Sequence, residues 1–167
     1  MTVRTSIFSP ETIYFSNKNT QQQVFEDVYL DLLKKDLVTP DFLNNLLARE
    51  KKYPTGLSLA PIDASLPNIA IPHTESEFVK ATRIVPIKLQ APLLFHNMIN
   101  LDEELPVSFL FLILNQNGFE QTGLLAEIMD FINGTDRASL LEFFQYENTQ
   151  EIYYFLEKNF KGEMSHD

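Results

Sequence analysis

Three- and four-residue spacing of apolar positions governs the first third of the chain. Val24, Phe25, Val28 and Leu32 fall on one face of a helix predicted from about Gln21 to Lys35, with Thr20 in front of it as a side-chain cap. Ahead of that helix, Thr12-Ile13-Tyr14-Phe15 reads as a short strand. Thr39-Pro40 has the form of a cap followed by proline at the first helical position, opening a second helix through Phe42, Leu43, Leu46 and Leu47 to about Lys52. The period then shortens. Asn68-Ile69-Ala70-Ile71 is an apolar run closed by Pro72, whose fixed φ and missing N–H stop a strand. Val85, Ile87 and Leu89 alternate within Ala81 to Leu89, and Pro86 among them predicts an edge strand or a bulge. From Pro106 to Leu114 the chain is apolar on both faces, the mark of a central strand covered on each side. Asn117 with Glu120 fits a capping box for a helix carrying Leu124, Leu125, Ile128 and Ile132, which Asn133-Gly134 ends. Two more helices follow, from about Asp136 to Tyr146 and, capped by Asn148 with Glu151, to about Phe160.

Strands alternating with helices, one of them apolar on both faces, predict a single α/β domain: a mixed central sheet with helices on both faces, in three αβα layers. It spans residues 1–160 and leaves a polar tail at 161–167. Composition supports one core, since 44% of the residues are apolar and 14 are phenylalanine. There is no run of eighteen apolar residues, and Met1-Thr2-Val3-Arg4 leads into polar sequence rather than a signal-peptide core, so a cytoplasmic protein is expected, with no insertion into the membrane. The absence of cysteine excludes disulfides and thiolate zinc sites and allows a reducing compartment. Thirteen basic against twenty-three acidic residues give a net charge of -10, which repels nucleic acid and anionic lipid alike.

The candidate chemistry sits at one strand end. His73 follows Pro72 directly, and only imidazole is both a nucleophile and a base near neutral pH. Upstream, Arg49-Glu50 precedes the turn-forming Tyr53-Pro54-Thr55-Gly56-Leu57. A histidine, an arginine and small hydroxyl or glycine positions are the parts of a site that handles phosphoryl groups. Arg49 would also lie in the last turn of its helix, where a cation suits the negative helix end, so capping is its bland alternative role. Gln121 falls in the first turn of a helix after a strand end, where anions collect, although an exposed helix-start residue reads the same way. His96, in Phe95-His96-Asn97, reads as a surface residue of a polar loop between strands, and His166 belongs to the tail. Three scattered histidines with no paired spacing give no metal-site signature, and no glycine-rich phosphate loop occurs, so neither metal nor cofactor is expected.

Arg49-Glu50, then Pro54-Thr55-Gly56-Leu57, then Ile69-Ala70-Ile71-Pro72-His73, in that order, resemble the enzyme IIA domain of the bacterial phosphoenolpyruvate-dependent sugar phosphotransferase system. The likeness is to the fructose/mannitol-type branch and within it to the galactitol-specific enzymes IIA, and it covers roughly residues 10 to 160. It implies that His73 is the phosphorylated histidine, that Arg49 holds the phosphoryl group, and that Thr55 lines its pocket; Thr74 stands just after the histidine, where the family varies, and with Gln121 is a further candidate to bind the phosphoryl group. Mannitol-type members carry a second histidine at the start of a later helix; the matching position here is Gln121, and galactitol-type members also lack that histidine. The implied activity is a phosphohistidine relay. The donor would be the histidine-containing phosphocarrier protein, and the acceptor a cysteine of the cognate enzyme IIB, through which the chain would associate indirectly with the membrane component enzyme IIC. A regulatory enzyme IIA-like phosphoprotein, or a non-catalytic α/β binding module, are the alternatives.

Overall fold

Among the described residues five strands form one mixed sheet: β1 (Tyr14–Ser16), β2 (Gly56–Leu57), β3 (Asn68–Ala70), β4 (Arg83–His96) and β5 (Glu104–Leu114), in the spatial order β1-β4-β5-β3-β2. The computed structural model describes residues 7–117 and 121–160, the side chains of Gln121 and Thr122 excepted. β1 runs parallel to β4 and β3 parallel to β5, whereas β4 and β5, and β2 and β3, pair antiparallel. The helices are α1 (Gln21–Lys34), α2 (Phe42–Lys52), α3 (Gln121–Gly134), α4 (Arg137–Phe143) and α5 (Thr149–Asn159).

The apolar strand predicted from Pro106 is β5, and it takes the central place because both of its faces need cover. Phe109, Phe111 and Ile113 point into a core shared with Leu124, Ile128, Leu140, Phe143, Ile152 and Leu156 of α3, α4 and α5. Leu110, Leu112 and Leu114 point into a second core with Val24, Phe25, Leu32, Phe42 and Leu46 of α1 and α2. Leu105 and Val107 also belong to that second core, which strict alternation from Leu110 forbids. A bulge resolves this: Asn68 pairs with Val107 but Ile69 pairs with Phe109, so Ser108 is the extra residue that switches the face. The three-layer α/β fold expected from the sequence is the one observed.

Caps explain where the helices start. Thr20 accepts from the Gln23 N–H, Asp136 from Ser139, and Asn148 from both Gln150 and Glu151, each satisfying an otherwise unpaired first-turn donor. Three expectations need correction. α2 starts at Phe42 rather than Pro40, because the Thr39 N–H is bonded to the Phe78 carbonyl (3.0 Å) and its own carbonyl closes a turn on Phe42 (3.1 Å), holding Thr39 outside the helix. β4 is second from the edge and continues to His96, past the predicted end at Leu89. Its register slips between Lys88 and Leu93, which absorbs the stretch containing Pro92, and Pro86 is tolerated because β1 pairs only from Ile87 onward. His96 is therefore the last residue of a strand rather than a loop residue, with its Nδ1 2.8 Å from the Leu101 carbonyl oxygen.

Candidate functional site

β3 ends at Ala70, yet the chain remains tied to both neighbours for three residues more. The Ile71 N–H donates to the Thr55 carbonyl and to Thr55 Oγ1, each at 3.2 Å, and the Pro72 carbonyl accepts from the Ile113 N–H at 2.9 Å. His73 then forms an isolated parallel bridge with Ile113. Its backbone is fixed beside the C-terminal end of β5, where the sheet stops. The imidazole Nδ1 lies 3.0 Å from the Ile71 carbonyl oxygen. A carbonyl only accepts, so Nδ1 carries the proton and the neutral ring presents an unprotonated Nε2. Burial pushes the His73 pKa below the ordinary histidine value; the Ile71 hydrogen bond opposes this, and the charge of Arg49 adds to the depression. The ring is thus neutral, and nucleophilic, at neutral pH.

Arg49 lies in the last turn of α2, a favourable place for a cation, and its carbonyl accepts from the Tyr53 N–H at 2.6 Å. Its guanidinium carbon sits 5.1 Å from the centroid of the Tyr53 ring, a cation–π contact that limits its rotamers. Nε of Arg49 is buried and has no hydrogen-bond partner among the described residues. Capping alone does not account for a buried unpaired donor, since such a group costs about 1–3 kcal/mol.

Glu50 turns the other way, into the protein, and accepts from Thr55 twice: Oε2 from the backbone N–H at 2.8 Å and Oε1 from the hydroxyl at 2.7 Å. Burial raises the Glu50 carboxyl to about 7, against the two Thr55 hydrogen bonds and the nearby His96, which favour the charged form. Thr55 is accordingly a pin between the end of α2 and the end of β3. Its hydroxyl proton is directed to Glu50, while its Oγ1 accepts from Ile71. Thr74 is buried, and its hydroxyl donates to the Glu75 carbonyl at 2.9 Å. Gln121 is the first residue of α3; its side chain, with Glu120 and the 161–167 tail that holds His166, lies outside the described residues.

The structure adds two residues that motif reasoning does not single out. Tyr53 stacks on Arg49, and the aromatic residue four places after an arginine in the same helix end was its sequence signal. Asn115 directly follows β5, is buried, and has an amide nitrogen without a partner among the described residues. A polar residue closing a doubly apolar strand was its only sequence signal. Among the described residues no three His, Asp or Glu side chains gather into a group able to hold a metal ion.

The family model described as phosphoenolpyruvate-dependent sugar phosphotransferase system, EIIA 2, matches residues 6–159. No curated protein is significantly similar in sequence. Among solved structures the chain is similar to the mannitol IIA of Escherichia coli, with a TM-score of 0.67 and 19% identity over 89% of this chain and 98% of that one. It is similar also to the nitrogen regulatory protein IIA-Ntr of Neisseria meningitidis, with a TM-score of 0.64 and 24% identity over 90% and 96% of the two chains. The complex of enzyme IIAMtl and phosphorylated enzyme IIBMtl from Escherichia coli gives a TM-score of 0.66 and 18% identity, over 90% and 97%. At these identities the likeness is one of fold.

Proposed function

The chain belongs to the EIIA 2 family of the phosphoenolpyruvate-dependent sugar phosphotransferase system, and from that premise we propose that it carries a phosphoryl group on Nε2 of His73. The observation that supports this most directly is the hydrogen bond from Nδ1 to the Ile71 carbonyl, which leaves Nε2 as the nucleophile. The histidine-containing phosphocarrier protein is the donor. The Nε2 lone pair attacks the phosphorus of its phosphohistidine in line, the donor N–P bond breaks, and the electron pair returns to the donor imidazole. Nδ1–H stays on Ile71 throughout, so the emerging positive charge of the ring is shared with a backbone carbonyl. Transfer onward runs by the same logic: a cysteine thiolate of enzyme IIB attacks phosphorus and His73 recovers its lone pair. A loose transition state of this kind needs alignment and positive charge rather than further bond-making groups.

Arg49 supplies that charge. Its planar fork offers parallel donors to two phosphoryl oxygens, and its unpaired Nε is ready for an anion. Thr55 acts through the backbone that it pins, Thr74 borders the histidine, and Gln121 offers an amide where mannitol-type members have a second imidazole. That substitution supports a galactitol-type sugar for the cognate transporter. Incubation with phosphoenolpyruvate, enzyme I and the phosphocarrier protein should add one acid-labile, alkali-stable phosphate by intact mass, and His73→Ala should abolish it. Persistence of the phosphate in that variant sinks the assignment. A regulatory enzyme IIA shares every step up to the phosphohistidine, so transfer to an enzyme IIB cysteine separates the two roles.

A further inference from the structure

We propose that the side-chain amide of Asn115 is a built-in hydrogen-bond donor for the phosphoryl group on His73; the proposal rests on the phosphohistidine reading above. Three observations converge on it. Asn115 is 4% exposed, and its Nδ2 has no hydrogen-bond partner among the described residues. Its Oδ1 accepts from the Asn117 N–H at 3.0 Å, which fixes the amide orientation: the oxygen is the atom facing Asn117, so the unpaired atom is the NH2 group. A buried amide with its acceptor engaged and its donors idle is complementary to an anion. A neutral acceptor of the protein's own would have been enough to satisfy it, and none is in place among the described residues.

The strand register brings that donor toward His73. Along β5, Phe109, Phe111 and Ile113 face the core under α3 to α5, and one further alternation carries Asn115 to the same side. On the neighbouring strand Ile69 and Ile71 belong to that same core, so His73, two residues on, shares the face. His73 bridges Ile113 in parallel, which makes Asn115 its diagonal neighbour, one step farther along the strands and just outside the end of the sheet. A phosphoryl group on Nε2 extends the ring into the space beyond the strand ends. Arg49, whose charge reaches His73 and whose Nε is also unpaired, arrives from α2 in the opposite helical layer. Two idle buried donors from different layers then serve one anion: Arg49 offers the charge, and Asn115 a neutral, orientation-fixed amide that no proton transfer can switch off.

The test compares phosphorylated and unphosphorylated forms. For wild type, Asn115→Ala and Asn115→Asp, the partition of phosphate between the phosphocarrier protein and His73 is read by intact mass at equilibrium, and the unfolding midpoint is read for both forms. Asn115→Ala is expected to shift the partition about tenfold toward the carrier and to remove part of the stabilisation that phosphorylation confers on wild type. Asn115→Asp keeps an oxygen for the Asn117 N–H and replaces the donor by an anion, so it should shift the partition further still while the unphosphorylated form remains folded. If both variants lower the midpoints of the two forms equally and leave the partition unchanged, Asn115 is a turn residue only and the proposal is overturned. If wild type takes no phosphate on His73, the phosphohistidine reading fails and the proposal falls with it; phosphorylated wild type with matching variants brings down the Asn115 assignment alone.

Discussion

Glu50 and His73 illustrate how burial sets two neighbouring groups in opposite directions. Burial holds the Glu50 carboxyl protonated up to about 7, from an ordinary 4.5, so between those values the unfolded chain has already released a proton that the folded protein keeps. Stability therefore falls as pH rises through that window, by about 3 kcal/mol at roughly 1.36 kcal/mol per unit, and is constant above it. His73 is depressed instead, so its protonation penalises the fold at low pH and its contribution rises with pH toward the ordinary histidine value. Glu50→Gln can still accept from the Thr55 N–H and donate to Thr55 Oγ1, but cannot ionise. Denaturant unfolding of variant and wild type at pH 4.5, 6 and 8 should show the variant gaining about 3 kcal/mol on wild type across that range; curves that stay parallel would mean that the carboxyl ionises normally in the fold. His73 and Arg49 were legible as candidates in the sequence because they sit in a motif of three ordered pieces. The pinning of Glu50 by Thr55 was not, since both residues carry ordinary polar side chains whose burial depends on a turn between two elements.

The turn that carries Thr55 works only if the next residue has no side chain. Gly56 opens β2, pairs with Ala70, and is approached from the far side by the end of β4: its carbonyl accepts from the Met98 N–H at 2.8 Å, and Gly56 bridges Asn97 in parallel. A Cβ on Gly56 would lie 2.6 Å from the His96 carbonyl oxygen. Backbone, not a flexible side-chain tip, blocks it, so Gly56→Ala must separate β2 from the β4–β5 turn. A loss of about 1–3 kcal/mol is expected, as for overpacking elsewhere, with a reduced rate of phosphoryl acceptance because the Thr55 to Ile71 bonds move with β2. Thermal melting and single-turnover transfer check this together; an unchanged melt would show that the turn yields freely. Helices were the more legible elements, because 3.6-residue periodicity and Thr20 and Asn148 as caps are local signals. The second half of β4 was hidden by Pro86 and Pro92, whose tolerance depends on where a three-residue partner strand stops and where a register slips.

At the scale of the whole molecule, the sheet is the wall between two cores and the site is built where both end. Arg49 stands on α2, whose buried residues Phe42 and Leu46 belong to the core with α1, whereas alternation from Ile71 and Ile113 carries His73 and Asn115 to the face under α3 to α5. The layers could be anticipated from the doubly apolar run of β5, but the strand order β1-β4-β5-β3-β2 could not, because it depends on pairings between segments far apart in sequence. Since β5 gives alternate side chains to each core, neither core can lose its packing without freeing the strand that the other needs. The domain should then unfold as one unit. Leu32→Ala in α1 and Ile128→Ala in α3 test this from opposite sides, since both residues are fully buried, one in each core. Each should cost about 2–5 kcal/mol and move a single denaturant transition with an unchanged slope, because the surface exposed on unfolding is the same. Phosphorylation competence of His73, sampled along the same denaturant series, should disappear with the far-ultraviolet signal and not before it. A second transition in either variant, or transfer lost while the helical signal remains, would show that the layers come apart separately and that the site depends on one of them alone.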